Sequence, residues 1–257
     1  MKALIKSEQN QFVKRYSELV ERKRSRKKLQ MLAVEGIQEI DYAIEGGYSP
    51  EFILISGEDI PSELIELESL IHPLDPSIFE KISYRSESSK ALAVFHQKNS
   101  LDLHTPFHKV LVLENVEKPG NLGALFRTAL ATGCDLLITT AESTDYYNSN
   151  CIRSSVGTVF RVPHIHMSNE DALQFLKDQE LSIFTTRLEG GAPLFESELP
   201  KRSAFVLGAE HQGISTFWSE RNLNGLFIPM KASMDSLNLS VSAAVVLYEH
   251  LRQNDGQ

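Results

Sequence analysis

The chain has 257 residues, 42% of them hydrophobic, and a formal net charge of −8. That length supports a full core and exceeds the usual domain of roughly 100–200 residues, so two domains or one large one are both open. It contains no apolar run of about 18 residues, which excludes a membrane-spanning helix, and its start, MKALIKSEQNQFVKRY, lacks the apolar stretch of an export signal.

Residues 10–32 begin the alternation, with Phe12, Val13, Tyr16, Leu19 and Val20 at helical spacing, followed by a basic stretch. MLAVEG (31–36) reads as a strand, and IQEIDYAIEGG (37–47) as a helix with two glycines past its end. FILIS (52–56) reads as a strand, PSELIELESL (61–70) as a helix opened by Pro61, and ALAVF (91–95) as a strand. Residues 1–98 therefore form a small α/β domain. Residues 99–108, with Asn99, Ser100, Asp102 and Pro106, have the composition of a linker.

Residues 109–257 form the second domain. KVLVLE (109–114) is a continuous apolar run, as in a parallel strand buried on both faces. A loop leads to the helix NLGALFRTALATG (121–133), then the strand DLLITT (135–140) and a helix over 148–160. HIHM (164–167) reads as a short strand, DALQFLKD (171–178) as a helix and LSIFTTR (181–187) as a strand. The strands SAFVLG (203–208) and GLFIPM (225–230) follow, and SVSAAVVLYEHLRQ (240–253) is a closing helix. Strands alternating with helices predict a parallel α/β sheet.

Cys134 and Cys151 are too few for a disulfide framework and read as reduced thiols of a cytoplasmic protein. His164 and His166 share one strand face, and His104 and His108 have helical spacing interrupted by Pro106. Neither pair has cysteine or carboxylate partners at ligand spacing, so no metal is expected. The acidic total hides a local reversal. Lys14, Arg15, Arg22, Lys23, Arg24, Arg26, Lys27 and Lys28 crowd one segment, interrupted only by Glu18 and Glu21. Such a stripe can track a phosphate backbone, or can simply be a solvated helix face.

Three constellations lie at the C-terminal ends of predicted strands, the edge where open α/β sheets bind ligands. The first is Pro119-Gly120-Asn121-Leu122-Gly123-Ala124 with Arg127, where a helix starting near Asn121 aims its N–H groups at the loop. It is not a G-x-G-x-x-G dinucleotide fingerprint. The second is Leu207-Gly208-Ala209-Glu210-His211-Gln212-Gly213, a carboxylate on a loop between glycines. The third is Ile228-Pro229-Met230, then residues 231–235, then Ser236-Leu237-Asn238-Leu239-Ser240, in which Ser236 and Asn238 suit a helix start. Each alone is also what an ordinary turn or cap would contain.

The ordered set PGNLGALFRTA, LGAEHQG and IPMKASMDSLNLSVSAA resembles the three motifs of the SpoU/TrmH family of RNA methyltransferases, within the SPOUT superfamily. The segments SEQNQFVKRYSELVERKRSRKK and AVEGIQEIDYAI resemble that family's RNA substrate-binding domain. The resemblance implies a catalytic α/β domain with a deep trefoil knot, S-adenosylmethionine as cofactor, and a homodimer through the C-terminal domain. Matched by motif, Gly208, Ile228 and Leu237 contact the cofactor, with Thr186 on its adenine side. Asn121, Arg127, Glu210, Ser236 and Asn238 form the polar catalytic cluster. The implied reaction is 2′-O-methylation of a ribose in structured RNA, rRNA before tRNA. Lys118 departs from the family pattern where Asn or Asp is frequent, and Ala232 where Gly is. Both bear on loop shape and substrate choice.

Arg127 is the expected ribose-side residue. A guanidinium stays protonated, so its expected work is to clamp a phosphate and steer the 2′-hydroxyl rather than to act as a free base. Two other readings stay open at this level. One is another S-adenosylmethionine or nucleotide enzyme on a plain doubly wound sheet, which would leave the basic segment idle. The other is a non-catalytic RNA-binding or ribosome-assembly protein.

Overall fold

A computed structural model describes residues 2–84, 90–98, 101–187, 190–209, 212–231 and 236–254. The chain divides into two compact units, Met1–Ser100 with Asp145–Arg161, and Leu101–Thr144 with Val162–Gln257.

The first unit opens with α1 (Gln11–Glu21), whose Asn10 side chain caps the N–H of Phe12 and whose Val13, Tyr16 and Leu19 are buried. Arg22 is extended and separates α1 from α2 (Lys23–Leu29). Then come β1 (Met31–Glu35), α3 (Ile37–Glu45) and β2 (Pro50–Ser56). Residues Ser62–Leu70, predicted as a helix, form a 3-10 helix in which only Leu64 is buried. They lack the apolar stripe that would hold a regular α-helix on a core. β3 (Ile71–Leu74), α4 (Pro76–Ile82) and β4 (Ala91–His96) complete this part. The sheet runs β1-β4-β2-β3. β3 contains Pro73, which masked it in the sequence, and it lies at the sheet edge where proline is tolerated.

In the second unit, β5 (Lys109–Glu114) is buried along its whole length. α5 (Pro119–Ala131) starts two residues before the expected Asn121, with proline at its first turn. β6 (Leu136–Thr140) follows. The chain then supplies α6 (Ser149–Ser155) and the 3-10 turn Thr158–Phe160 to the first unit. It returns as β7 (His164–His166), α7 (Asn169–Asp178), β8 (Ser182–Thr186) and β9 (Ala192–Pro193), with a 3-10 turn at Leu194–Glu196. The last elements are β10 (Ser203–Leu207), α8 (Thr216–Ser219), β11 (Asn224–Phe227) and α9 (Leu239–Asn254).

The second sheet has seven strands in the order β7-β6-β5-β10-β8-β11-β9, each pairing parallel. Val110, Val112, Ile138, Ile183, Ala204 and Val206 face one core with Leu173, Leu176 and Trp218. On the other side α5 packs against α9, and the ring of Phe205 meets that of His250.

Two expectations about continuity change. Residues 148–160 are not one helix, because Val156 and Gly157 both adopt left-handed backbone after Ser155. A Cβ at Gly157 would lie 3.0 Å from the Glu39 Cα, so the turn also needs the bare backbone. Within the expected linker, Phe107 is a buried core residue, and Leu101 and Leu103 pack on the same cluster.

Candidate active site

The parallel registers set Leu113 beside Leu207, Val206 beside Thr185, and Thr186 beside Leu226. The chain segments leaving β10, β8 and β11 therefore emerge side by side at one sheet edge. They line a cavity of about 560 Å³, within the size range of small-molecule sites. Thr186, Gly208, Ile228 and Leu237 all line it, as does Ser236. Gln212 and Met230, within the second and third motifs, line it too, and Arg187 and Ile214 are further lining residues that the sequence reading did not single out. Each lies within three positions of one that was named, so the edges of the motifs carried the signal.

Gly208 is demanded by a close approach. A Cβ there would sit 1.9 Å from the Gly213 carbonyl oxygen. Ala209 and Gly213 form an isolated antiparallel bridge that folds the loop back on itself. The loop is held from below by Glu114, at the end of β5. Its carboxylate accepts the Ser215 N–H at 2.7 Å, the Ser215 hydroxyl at 2.6 Å and the Asn169 amide at 2.7 Å. Asn169 in turn accepts the indole N–H of the buried Trp218 at 3.1 Å. Neither Glu114 nor Ser215 belongs to the three motifs as read, and only the fold brings them together.

At the polar end, Asn238 caps α9, its Oδ1 accepting the Ser240 N–H at 3.0 Å and the Ser240 hydroxyl at 2.6 Å. Its Nδ2 donates to Asn121 Oδ1 at 3.3 Å. Asn121 is therefore a third-position residue of α5 joined to α9, and Lys118 holds the cap position. Arg127 lies exposed on α5, six residues and about 9 Å of helical rise beyond Asn121. Glu210 lies outside the described residues.

The basic stripe divides by burial. Lys14, Arg22, Lys23, Arg24, Lys27 and Lys28 are exposed and Arg15 is half-buried. Arg26 is only 2% exposed and cannot serve as an RNA contact. Its Nε pairs with Asp145 at 2.8 Å, and its Nη1 donates to the carbonyls of Leu19 and Val20 at 2.6 and 3.0 Å. Helical phase turned this one cation inward, where the carbonyls of α1 and the Asp145 carboxylate compensate its charge.

Both cysteines are buried, and burial pushes the Cys134 thiol up to about 12 and that of Cys151 also upward, so neither is an available nucleophile. His164 packs edge-on to Phe126, and His166 meets the Thr139 hydroxyl at 3.0 Å. Among the described residues no three His, Cys, Asp or Glu side chains are placed to hold a metal, and no helix is long and apolar enough to cross a membrane.

The cavity lining fits the cofactor that the resemblance implies, S-adenosylmethionine, an adenosine joined to an amino acid. The lining joins apolar side chains (Leu207, Phe227, Ile228, Leu237) to the polar Thr186, Ser236 and Ser242. Arg187 Nη2, on the same wall, is buried without a hydrogen-bond partner among the described residues. The fold and cavity define an α/β domain that takes a small cofactor at the C-terminal edge of a parallel sheet.

Comparison with known proteins makes the class specific. Residues 108–248 match the SpoU rRNA Methylase family, and residues 10–93 match the MRM3-like substrate binding domain. The chain is 30% identical over 249 residues to the 23S rRNA (guanosine(2553)-2′-O)-methyltransferase RlmP of Bacillus subtilis, covering 96% of this chain and 98% of that protein. Its fold matches the crystal structure of an RNA 2′-O ribose methyltransferase with a TM-score of 0.84 at 30% identity, over 98% of this chain and 99% of that one. It also matches an AdoMet-bound rRNA methyltransferase from Sinorhizobium meliloti, with a TM-score of 0.87 at 23% identity over 98% of each chain. The chain belongs to the SpoU rRNA methylase family. It is an enzyme of the RNA ribose 2′-O-methyltransferase class.

Proposed function

We propose that this enzyme methylates a ribose 2′-oxygen in 23S rRNA. The observation that carries the reading is the convergence of Thr186, Gly208, Ser236, Ile228 and Leu237 on one cavity, with Asn238 joined to Asn121 beside it. The 2′-hydroxyl belongs to RNA alone, and unpaired nucleotides present it best. The activity of RlmP, which this chain matches over nearly its full length, supports 23S rRNA as the substrate.

S-adenosylmethionine supplies an electrophilic methyl group when bound. Gly208, Ile228 and Leu237 hold it through the loops they belong to, and Thr186 flanks the adenine side. Asn121, Ser236 and Asn238 orient the acceptor side by hydrogen bonds. Arg127, exposed on α5, clamps a substrate phosphate with its planar fork and steers the 2′-hydroxyl. The hydroxyl proton passes to that phosphate or to water. Alignment of this kind is worth about 7–11 kcal/mol of a barrier. In this reading residues 1–98 bind the RNA, through Lys14, Arg15, Arg22, Lys23, Arg24, Lys27 and Lys28, while 99–108 connect and 109–257 catalyse.

The same reading includes a trefoil knot, a homodimer and action in the cytoplasm. The strand order supports the knot: β10 enters between β5 and β8, β11 lies beyond β8, and α9 returns to α5. Val241 and Tyr248 support the dimer, being 47% and 52% exposed and two turns apart on one face of α9.

The test is transfer of labelled methyl to unmodified 23S rRNA and to unmodified tRNA, with Arg127→Ala and Arg127→Lys alongside. The expected result is label in ribose of the 23S rRNA, a severe loss in both variants, and unchanged cofactor affinity. Label confined to tRNA, or full turnover by Arg127→Lys, overturns the assignment.

A further inference from the structure

We propose that Tyr84 and Arg153 of the first unit form a stacking platform for an unpaired base of the substrate RNA. The proposal rests on the RNA reading above. Tyr84 is 73% exposed, an unusual setting for a large ring. Its position is nonetheless built. Glu35, at the end of β1, accepts the Tyr84 N–H at 3.0 Å and the Ser83 hydroxyl at 2.6 Å. The Arg153 guanidinium, from α6, lies over the ring at 3.7 Å from its centre. Arg153 is steadied in turn by donating to Asn150 Oδ1 at 2.7 Å.

The arrangement orders an aromatic face and a cation together at the surface. A core residue would bury the ring, and a purely solvated one would not have its backbone gripped by a carboxylate. The cavity beneath, lined by Tyr16, Ile82 and Ile152 among others, is about 60 Å³, far below the roughly 300 Å³ at which ligand pockets begin. The partner therefore stacks on the platform and does not insert. Nucleobases stack on aromatic rings and on guanidinium planes, and an Arg beside the ring can also meet the neighbouring phosphate. A base held in a duplex has no open face to offer, so the site selects unpaired nucleotides.

The experiment measures binding of a single-stranded oligoadenylate of about ten nucleotides, a length within the usual single-strand site size, and of a blunt RNA duplex. Wild type, Tyr84→Leu, Tyr84→Phe and Arg153→Gln are compared, with KM and kcat on a 23S rRNA transcript. The expected result is that Tyr84→Leu weakens single-strand binding roughly tenfold, the scale of one lost stacking contact. Tyr84→Phe keeps it, Arg153→Gln weakens it, and duplex binding and the melting temperature do not move. KM for the transcript rises while kcat holds. Wild-type single-strand affinity in Tyr84→Leu, or an equal loss for the duplex, overturns the platform and leaves the RNA reading standing. A wild-type protein that binds neither oligoadenylate nor transcript overturns both.

Discussion

Glu114 and Ser215 are 101 positions apart and share two hydrogen bonds, the carboxylate accepting both the N–H and the hydroxyl of the serine. Through this pair, the end of β5 fixes the far end of the loop that begins at Gly208 and lines the cavity. Glu114 is only 3% exposed, and its third bond reaches Asn169.

Glu114→Gln replaces one accepting oxygen with a donor that faces donors. A buried donor left unsatisfied costs about 1–3 kcal/mol. Chemical denaturation should show a loss of that size, and calorimetry should show weaker S-adenosylmethionine binding as the loop loosens. A variant with wild-type stability would remove Glu114 from this role.

Gly208→Ala introduces a Cβ 1.9 Å from the Gly213 carbonyl oxygen, so the backbone of the loop must move. The change lies in a surface loop at the cavity and not in the sheet core, so the protein should still fold. Cofactor affinity should fall roughly tenfold or more, since such overpacking costs about 1–3 kcal/mol. Circular dichroism checks the fold and calorimetry checks the affinity. Unchanged affinity would mean that the loop has a second, equally good conformation.

Arg26→Ala leaves Asp145 without its partner and the Leu19 and Val20 carbonyls without a donor. Breaking a buried pair from one side costs about 3–5 kcal/mol, and thermal unfolding should report a large loss. Lys27→Ala, at an exposed neighbouring position, should change stability by less than about 0.5 kcal/mol. It should instead lower RNA affinity and flatten its salt dependence. The reverse pattern would mean that Arg26, and not its exposed neighbours, meets the RNA.

Much of the architecture was legible from periodicity. The continuous apolar runs of β5, β6 and β10 announce a parallel sheet because strands covered on both faces need no polar side. β3 and α4 were not legible. Pro73 interrupts the first, and the second is a seven-residue helix, too short to display a repeating face. The residues that the resemblance assigns to the cofactor came from motif order, and Thr186, Gly208, Ile228 and Leu237 line one cavity. Arg26 was misread because a run of basic residues does not say which of them points inward.

Composition and spacing alone determined the alternating α/β class, the strand-end positions of the three motifs and the local excess of cations. These follow from backbone hydrogen bonding and from the two periodicities of buried side chains, both local properties. Strand order was beyond it, as were the return of Asp145–Arg161 to the first unit, the meeting of Asn121 with Asn238 and the grip of Glu114 on Ser215. Each joins residues distant in the chain, and such contacts form only when packing of the whole core outweighs the entropy of closing long loops.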